Sequence, residues 1–170
     1  MIGDNIMIIE RAEMSDLAEI LELQYLAYQS EAKLLNNPNI PPLQETIDQL
    51  MEEYEKGIIL KAVEENGEII GSVRAYLEND TVHIGKLIVH PTFQGKGIGT
   101  KLLHTIENEY GNVRYELFTS KKSTRNIKLY ERIGYKVFKE EQIKDDLIFV
   151  FLYKTLKEIS CKFCNYNEKL

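Results

Sequence analysis

A mixed α/β layer structure built around an antiparallel meander is the fold class this sequence predicts, on three observations. Residues 16–28 and 43–54 carry apolar side chains at helical spacing. Between 58 and 89 the apolar period shortens to that of strands, with turn signals at Asn66-Gly67 and Glu78-Asn79-Asp80. A glycine-rich turn then leads from strand into another amphipathic helix, so helices and strands must share one core.

The elements follow in order. Ile6 to Ile9 reads as a first strand. Asp16 and Glu19 have capping-box spacing for a helix bearing Leu17, Ile20, Leu21, Tyr25 and Tyr28. Pro38, Pro41 and Pro42 make 36–42 a loop. A second helix presents Leu43, Ile47, Leu50, Met51 and Tyr54. Strands at 58–64, 68–78 and 81–89 form the meander. A helix carrying Ile98, Leu102, Leu103, Ile106 and Tyr110 comes next, then a strand at 114–119 and a short helix at about 123–133. Strands at 135–138 and 147–153 close the domain, expected to span 1–155 with a tail at 156–170.

With 170 residues, 44% of them hydrophobic, the chain is long enough for one real core. No apolar run could span a membrane, and Met1 to Asn5 lack the basic-then-apolar order of a signal peptide. The two cysteines, Cys161 and Cys164, both fall in the tail, which suits a reducing compartment; a cytoplasmic protein is expected. A lone C-x-x-C without a second pair or a nearby His argues against zinc, and no metal is expected. The net charge of −6 divides into −12 over 1–85, +7 over 86–139 and −1 over 140–170. Oppositely charged regions suit two different partners, or are simply solvated faces. The overall acidity argues against nucleic acid.

The most informative stretch is Leu87-Ile88-Val89-His90-Pro91-Thr92-Phe93-Gln94-Gly95-Lys96-Gly97-Ile98-Gly99-Thr100. Glycines at alternate positions admit a ligand close to the backbone, and amides at a helix N-terminus favour an anion, so a phosphate or pyrophosphate site is inferred. The P-loop spacing is absent, and G-x-G-x-G is not the dinucleotide G-x-G-x-x-G.

Gln94-x-x-Gly97-x-Gly99, followed by Leu129-Tyr130-x-x-x-Gly134-Tyr135, resembles the GNAT superfamily of N-acetyltransferases, and the element order agrees over 6–155. The resemblance implies a mostly antiparallel sheet flanked by helices, with strands 81–89 and 114–119 splayed. It implies acetyl-coenzyme A as co-substrate: its pantetheine arm along Leu87, Ile88 and Val89, and its pyrophosphate on Gln94, Gly95, Lys96, Gly97, Ile98, Gly99 and Thr100. Lys121, Lys122, Arg125, Lys128 and Arg132 would attract the anionic coenzyme. Many members carry an Asn seven residues before the signature Tyr; here that position is Ser123, with Asn126 three residues on, and both are candidate contacts.

Acylating an amine requires loss of its proton, hydrogen bonds to the carbonyl oxygen and a donor for the leaving thiolate. By resemblance, the Val89 amide serves the second need and Tyr130 the third. Candidate bases are His83, eleven residues before Gln94, where one branch of the family places a Glu, and Glu116 on the strand after the loop helix; relays of water are the alternative. The resemblance places the acceptor against the first helices, at Tyr28 and Glu31, with Arg74 and Tyr76 from the meander. The −12 half favours a cationic small-molecule or peptide amine. A buried Arg74 could instead recognise a carboxylate. An acyl-coenzyme A sensor without turnover is the rival function, and a homodimer is an open alternative.

Overall fold

In the computed structural model of the chain, residues 7–156 are described; the expected tail, with Cys161 and Cys164, lies outside them. The elements are β1 (Ile8–Arg11), α1 (Leu17–Ala27), α2 (Gln29–Leu34), α3 (Pro41–Gln44), α4 (Ile47–Lys56), β2 (Ile58–Val63), β3 (Ile69–Glu78) and β4 (Thr81–Val89). They continue with α5 (Ile98–Tyr110), β5 (Arg114–Ser120), α6 (Thr124–Ile133), β6 (Lys136–Lys144) and β7 (Leu147–Thr155). The strands form a seven-stranded sheet in the order β1-β2-β3-β4-β5-β7-β6. All pairs are antiparallel except β4 with β5.

Local chemistry explains most boundaries. The capping box before α1 uses Glu13 and Asp16 around a single 3-10 turn, three residues earlier than the Asp16–Glu19 spacing suggests. Thr46 and Gln49 form the reciprocal box that starts α4. The proline loop contains one helical turn, because Pro41 and Pro42 sit where the missing N–H groups cost nothing. β6 runs six residues beyond its expected end, through Glu140-Glu141-Gln142-Ile143. An edge strand exposed along its length can be written in charged residues, which conceals it in the sequence.

The sheet divides the core in two. On one face α5 and α6 pack Ile98, Leu102, Leu103, Ile106 and Tyr130 against Val73, Val82, Ile84, Tyr115 and Leu152. On the other, α1 and α4 pack Leu17, Ile20, Leu21 and Leu50 against Ile59, Ile69 and Ile88. The β4–β5 ladder joins only Thr81, Val82 and His83 to Arg114, Tyr115 and Glu116. Beyond that point β5 pairs with β7 while β4 stays with β3, so the sheet opens into a wedge. Among the described residues no helix is long and apolar enough to cross a membrane.

Candidate functional site

The wedge is bounded by the glycine turn. Gly95 (φ 77°) and Gly97 (φ 80°) occupy the left-handed region, and Gly97 is the N-cap of α5. A Cβ at either would meet nothing within 4 Å, so this side of the turn is open. The first intrahelical bond runs from the Lys101 N–H to the Gly97 carbonyl (3.1 Å), which leaves the amides of Ile98, Gly99 and Thr100 at the positive end of the helix. Gln94 braces the turn: its amide donates to the Val89 carbonyl (3.3 Å) and its oxygen accepts from Arg125 of α6 (3.0 Å). A Cβ on Gly99 would lie 3.7–3.9 Å from Leu129, Leu87 and Val89, ordinary contact, so apolar side chains of α6 and β4 flank the first turn of α5.

Four expected residues come together between α6 and the α1–α2 junction. The hydroxyl of Ser123, at the N-cap of α6, donates to the Glu31 carboxylate of α2 instead of capping its own helix. Burial raises the Tyr130 phenol well above its ordinary value, with the Glu31 charge adding to it. Tyr28 is raised too, by burial first and then by Tyr130. Both phenols therefore stay protonated through neutral pH. Neither hydroxyl has a hydrogen-bond partner among the described residues, so both can donate to a ligand. Asn126 is half-buried on the same helix.

The expected acceptor ligand Arg74 is committed elsewhere. Its guanidinium donates to Glu45 (2.8 and 3.1 Å), Glu53 (2.8 Å) and Gln24 (2.5 Å), and its side chain is 7% exposed. Gln24, 0% exposed inside α1, also donates to Glu45 (2.7 Å) and the Pro42 carbonyl (2.8 Å). Arg74 is thus a clamp tying α1, α4 and the α3–α4 connection at Glu45 to β3. Beside the clamp opens a cavity of 410 Å³, lined in part by Gln44, Glu45, Glu52, Glu53, Lys56 and Lys86. Its acids are offset by Arg74, Lys56 and Lys86, so the −12 of the first half does not arrive here as net charge.

Tyr76 stacks on His83 (5.1 Å between centroids), and Glu116, the strand neighbour of His83, is held by Arg114 (2.7 Å). His83 and Val89 pair with Tyr76 and Gly71 of β3, five residues apart, so the two lie roughly 17 Å from one another along the bulged strand. His83 thus stands at the paired end of the wedge, away from Val89, and Glu116 is engaged by the Arg114 ion pair. No three His, Cys, Asp or Glu residues among those described are grouped to hold a metal.

Sequence reasoning missed Gln24, Glu45, Glu53 and Lys86. The signal for the last was legible: Gly85-Lys86 interrupts an apolar strand, a pattern that marks a bulge. The register skips from Ser72↔Ile88 to Arg74↔Gly85, and Lys86 adopts φ 49°.

A family model described as the acetyltransferase (GNAT) family matches residues 16–135. Among curated proteins, the UPF0157 protein YqkA of Bacillus subtilis (strain 168) is 30% identical over 166 residues, 95% of this chain and 46% of YqkA. The chain spans about half the length of that relative. Among solved structures, the PaiA N-acetyltransferase of Thermoplasma acidophilum, in complex with coenzyme A, is similar with a TM-score of 0.72 at 16% identity, over 89% of this chain and 99% of that one. The ribosomal-protein-S18-alanine N-acetyltransferase of Escherichia coli gives 0.73 at 15% identity, over 93% and 100%. Likeness at these identities speaks to the fold.

Proposed function

The chain belongs to the acetyltransferase (GNAT) family, and on that premise we propose that it transfers an acetyl group from acetyl-coenzyme A to an amine by direct attack in a complex holding both. The observation that carries this is the glycine-capped start of α5 beside the unpaired edge of β4; the buried Tyr130 of α6 supplies a protonated hydroxyl without a hydrogen-bond partner among the described residues. The amides of 98–100 and the positive end of α5 suit a pyrophosphate. Arg125 and Lys128 on α6 add attraction, and the backbone edge of β4 at Leu87 to Val89, unpaired with β5, suits a pantetheine arm.

In the reaction the amine nitrogen bonds to the thioester carbon, the C–S bond breaks and sulfur leaves as thiolate. An acceptor that arrives as an ammonium gives up two protons from its nitrogen, one before attack and one as the amide forms; the thiolate gains one, so one proton is released net. A phenol raised above its ordinary value of about 10 is a weaker acid than a thiol near 8.5. Tyr130 therefore stabilises the thiolate by donating a hydrogen bond, with the proton transferred late or from solvent. The amine's proton leaves through water in the open wedge, since His83 is too remote for direct transfer at Val89. Tyr28, between Tyr130 and the Arg74 clamp, is the natural contact for the acceptor, with the acids of α4 receiving its ammonium.

The test is a panel of amines incubated with acetyl-coenzyme A, reading free thiol. Amine-dependent thiol release supports the proposal. Tight coenzyme binding without release from any amine overturns it in favour of a sensor.

A further inference from the structure

Strict alternation along β4 would turn Lys86 toward the same face as Val82 and Ile84, into the apolar core beneath α5. The bulge prevents this. By taking a left-handed conformation at Lys86, the strand shifts its alternation by one, so that Ile88 joins the α1–α4 core and the Lys86 side chain lines the cavity beside α4. A lysine is an ill-suited residue for positive φ, and such strain, where observed, points to a functional demand. The side chain is half-buried, yet makes no hydrogen bond or ion pair among the described residues. Its nearest acids are taken: Glu45 and Glu53 both bind Arg74. Burial, and then the charge of Arg74, hold the ammonium below its ordinary value, as expected of a cation lacking a close counter-ion.

The cavity therefore offers two kinds of contact. Lys86, next to the free edge 87–89, presents unsatisfied donors from the sheet. Glu52 of α4 lines the same cavity and makes no hydrogen bond or ion pair among the described residues. We propose that Lys86 is a specificity residue that binds a carboxylate of the acceptor, so that the acceptor class is an amine bearing a carboxylate, an amino acid or a short peptide, rather than a polyamine. This rests on the acetyl-transfer reading and names its second substrate. The products would be an N-acetylated amino acid or peptide and free coenzyme A, with one proton released net.

The experiment pairs each common L-amino acid with its α-carboxamide, a change that removes the carboxylate and keeps the amine. Thiol release from acetyl-coenzyme A is read for both. The best acceptor should show at least a tenfold higher kcat/KM as carboxylate than as carboxamide. Lys86→Met should bring that ratio to about one, and Lys86→Arg should retain part of it. A mere structural role for Lys86 would lower both activities and leave the ratio unchanged. Equal or better activity with carboxamides or simple polyamines in the wild type, or a ratio surviving in a folded Lys86→Met variant, overturns the proposal. If no amine releases thiol, the acetyl-transfer reading fails separately. The carboxylate site is then judged by the thermal midpoint of the coenzyme-loaded protein. A rise with the amino acid that is absent with its amide and lost in Lys86→Met sustains the site, and no such difference refutes it.

Discussion

Arg74→Met should cost stability, because it removes the clamp and keeps the bulk. Four hydrogen bonds to Glu45, Glu53 and Gln24 disappear. Glu53 is 45% exposed and regains water, while Glu45, at 9%, is left as a buried carboxylate with only Gln24 to satisfy it. Breaking a buried pair from one side costs about 3–5 kcal/mol, a large share of the ~5–15 kcal/mol typical of a domain. At roughly 2–4 °C per kcal/mol for a chain of this size, the melting midpoint should fall by about 6–20 °C. The loss should depend on pH. In the wild type, burial pushes the Glu45 carboxyl up, but the hydrogen bond and charge of Arg74 outweigh it and hold the group below its ordinary value. A depressed carboxylate stabilises the fold above its unfolded pKa, near 4, and that contribution is lost as pH falls through the folded value. Without Arg74 the buried carboxyl titrates higher, so the difference between the two proteins should narrow as pH falls from 7 toward 4. Urea unfolding at several pH values, with unchanged m, measures it. A loss below about 1 kcal/mol at pH 7, or one that does not change with pH, would falsify the clamp. The double variant with Glu45→Gln should lose less than the sum of the single losses.

Gly97→Val forces a β-branched residue to φ 80°, at a cost of at least about 1–2 kcal/mol, and fills space open to the ligand. The protein should remain folded and lose coenzyme binding in calorimetry; unchanged affinity refutes the site. Tyr130→Phe should lower turnover at least about tenfold, because a hydrogen-bond donor to the leaving group is lost. In the wild type no fall in rate from Tyr130 should appear below pH 10, since burial moves its titration upward; a break below 9 that vanishes in the Phe variant contradicts this. His83→Ala should change kcat by less than about tenfold, and a hundredfold loss with normal coenzyme affinity would restore His83 as the base.

The sequence by itself determined the meander, the glycine-capped start of α5 and the Leu129–Tyr135 segment, because each depends on neighbours a few residues apart: a turn dipeptide, an alternating strand, residues at helical spacing. It gave the ends of β1 and β6 less well, since edge strands pack on little and carry ordinary polar residues. Which side chains meet was decided by tertiary structure. Glu31 reaches Ser123 from 92 positions away, and Arg74 gathers Gln24 of α1, Glu53 of α4 and Glu45 of the segment between α3 and α4. A charged residue in a sequence looks equally available wherever it stands. Only packing shows that Arg74 has spent its donors internally while Lys86, turned out of the core by one bulged residue, still holds its own. The physical reason is that hydrogen-bond satisfaction in a low-dielectric interior is a property of assembled neighbours, which no local pattern encodes.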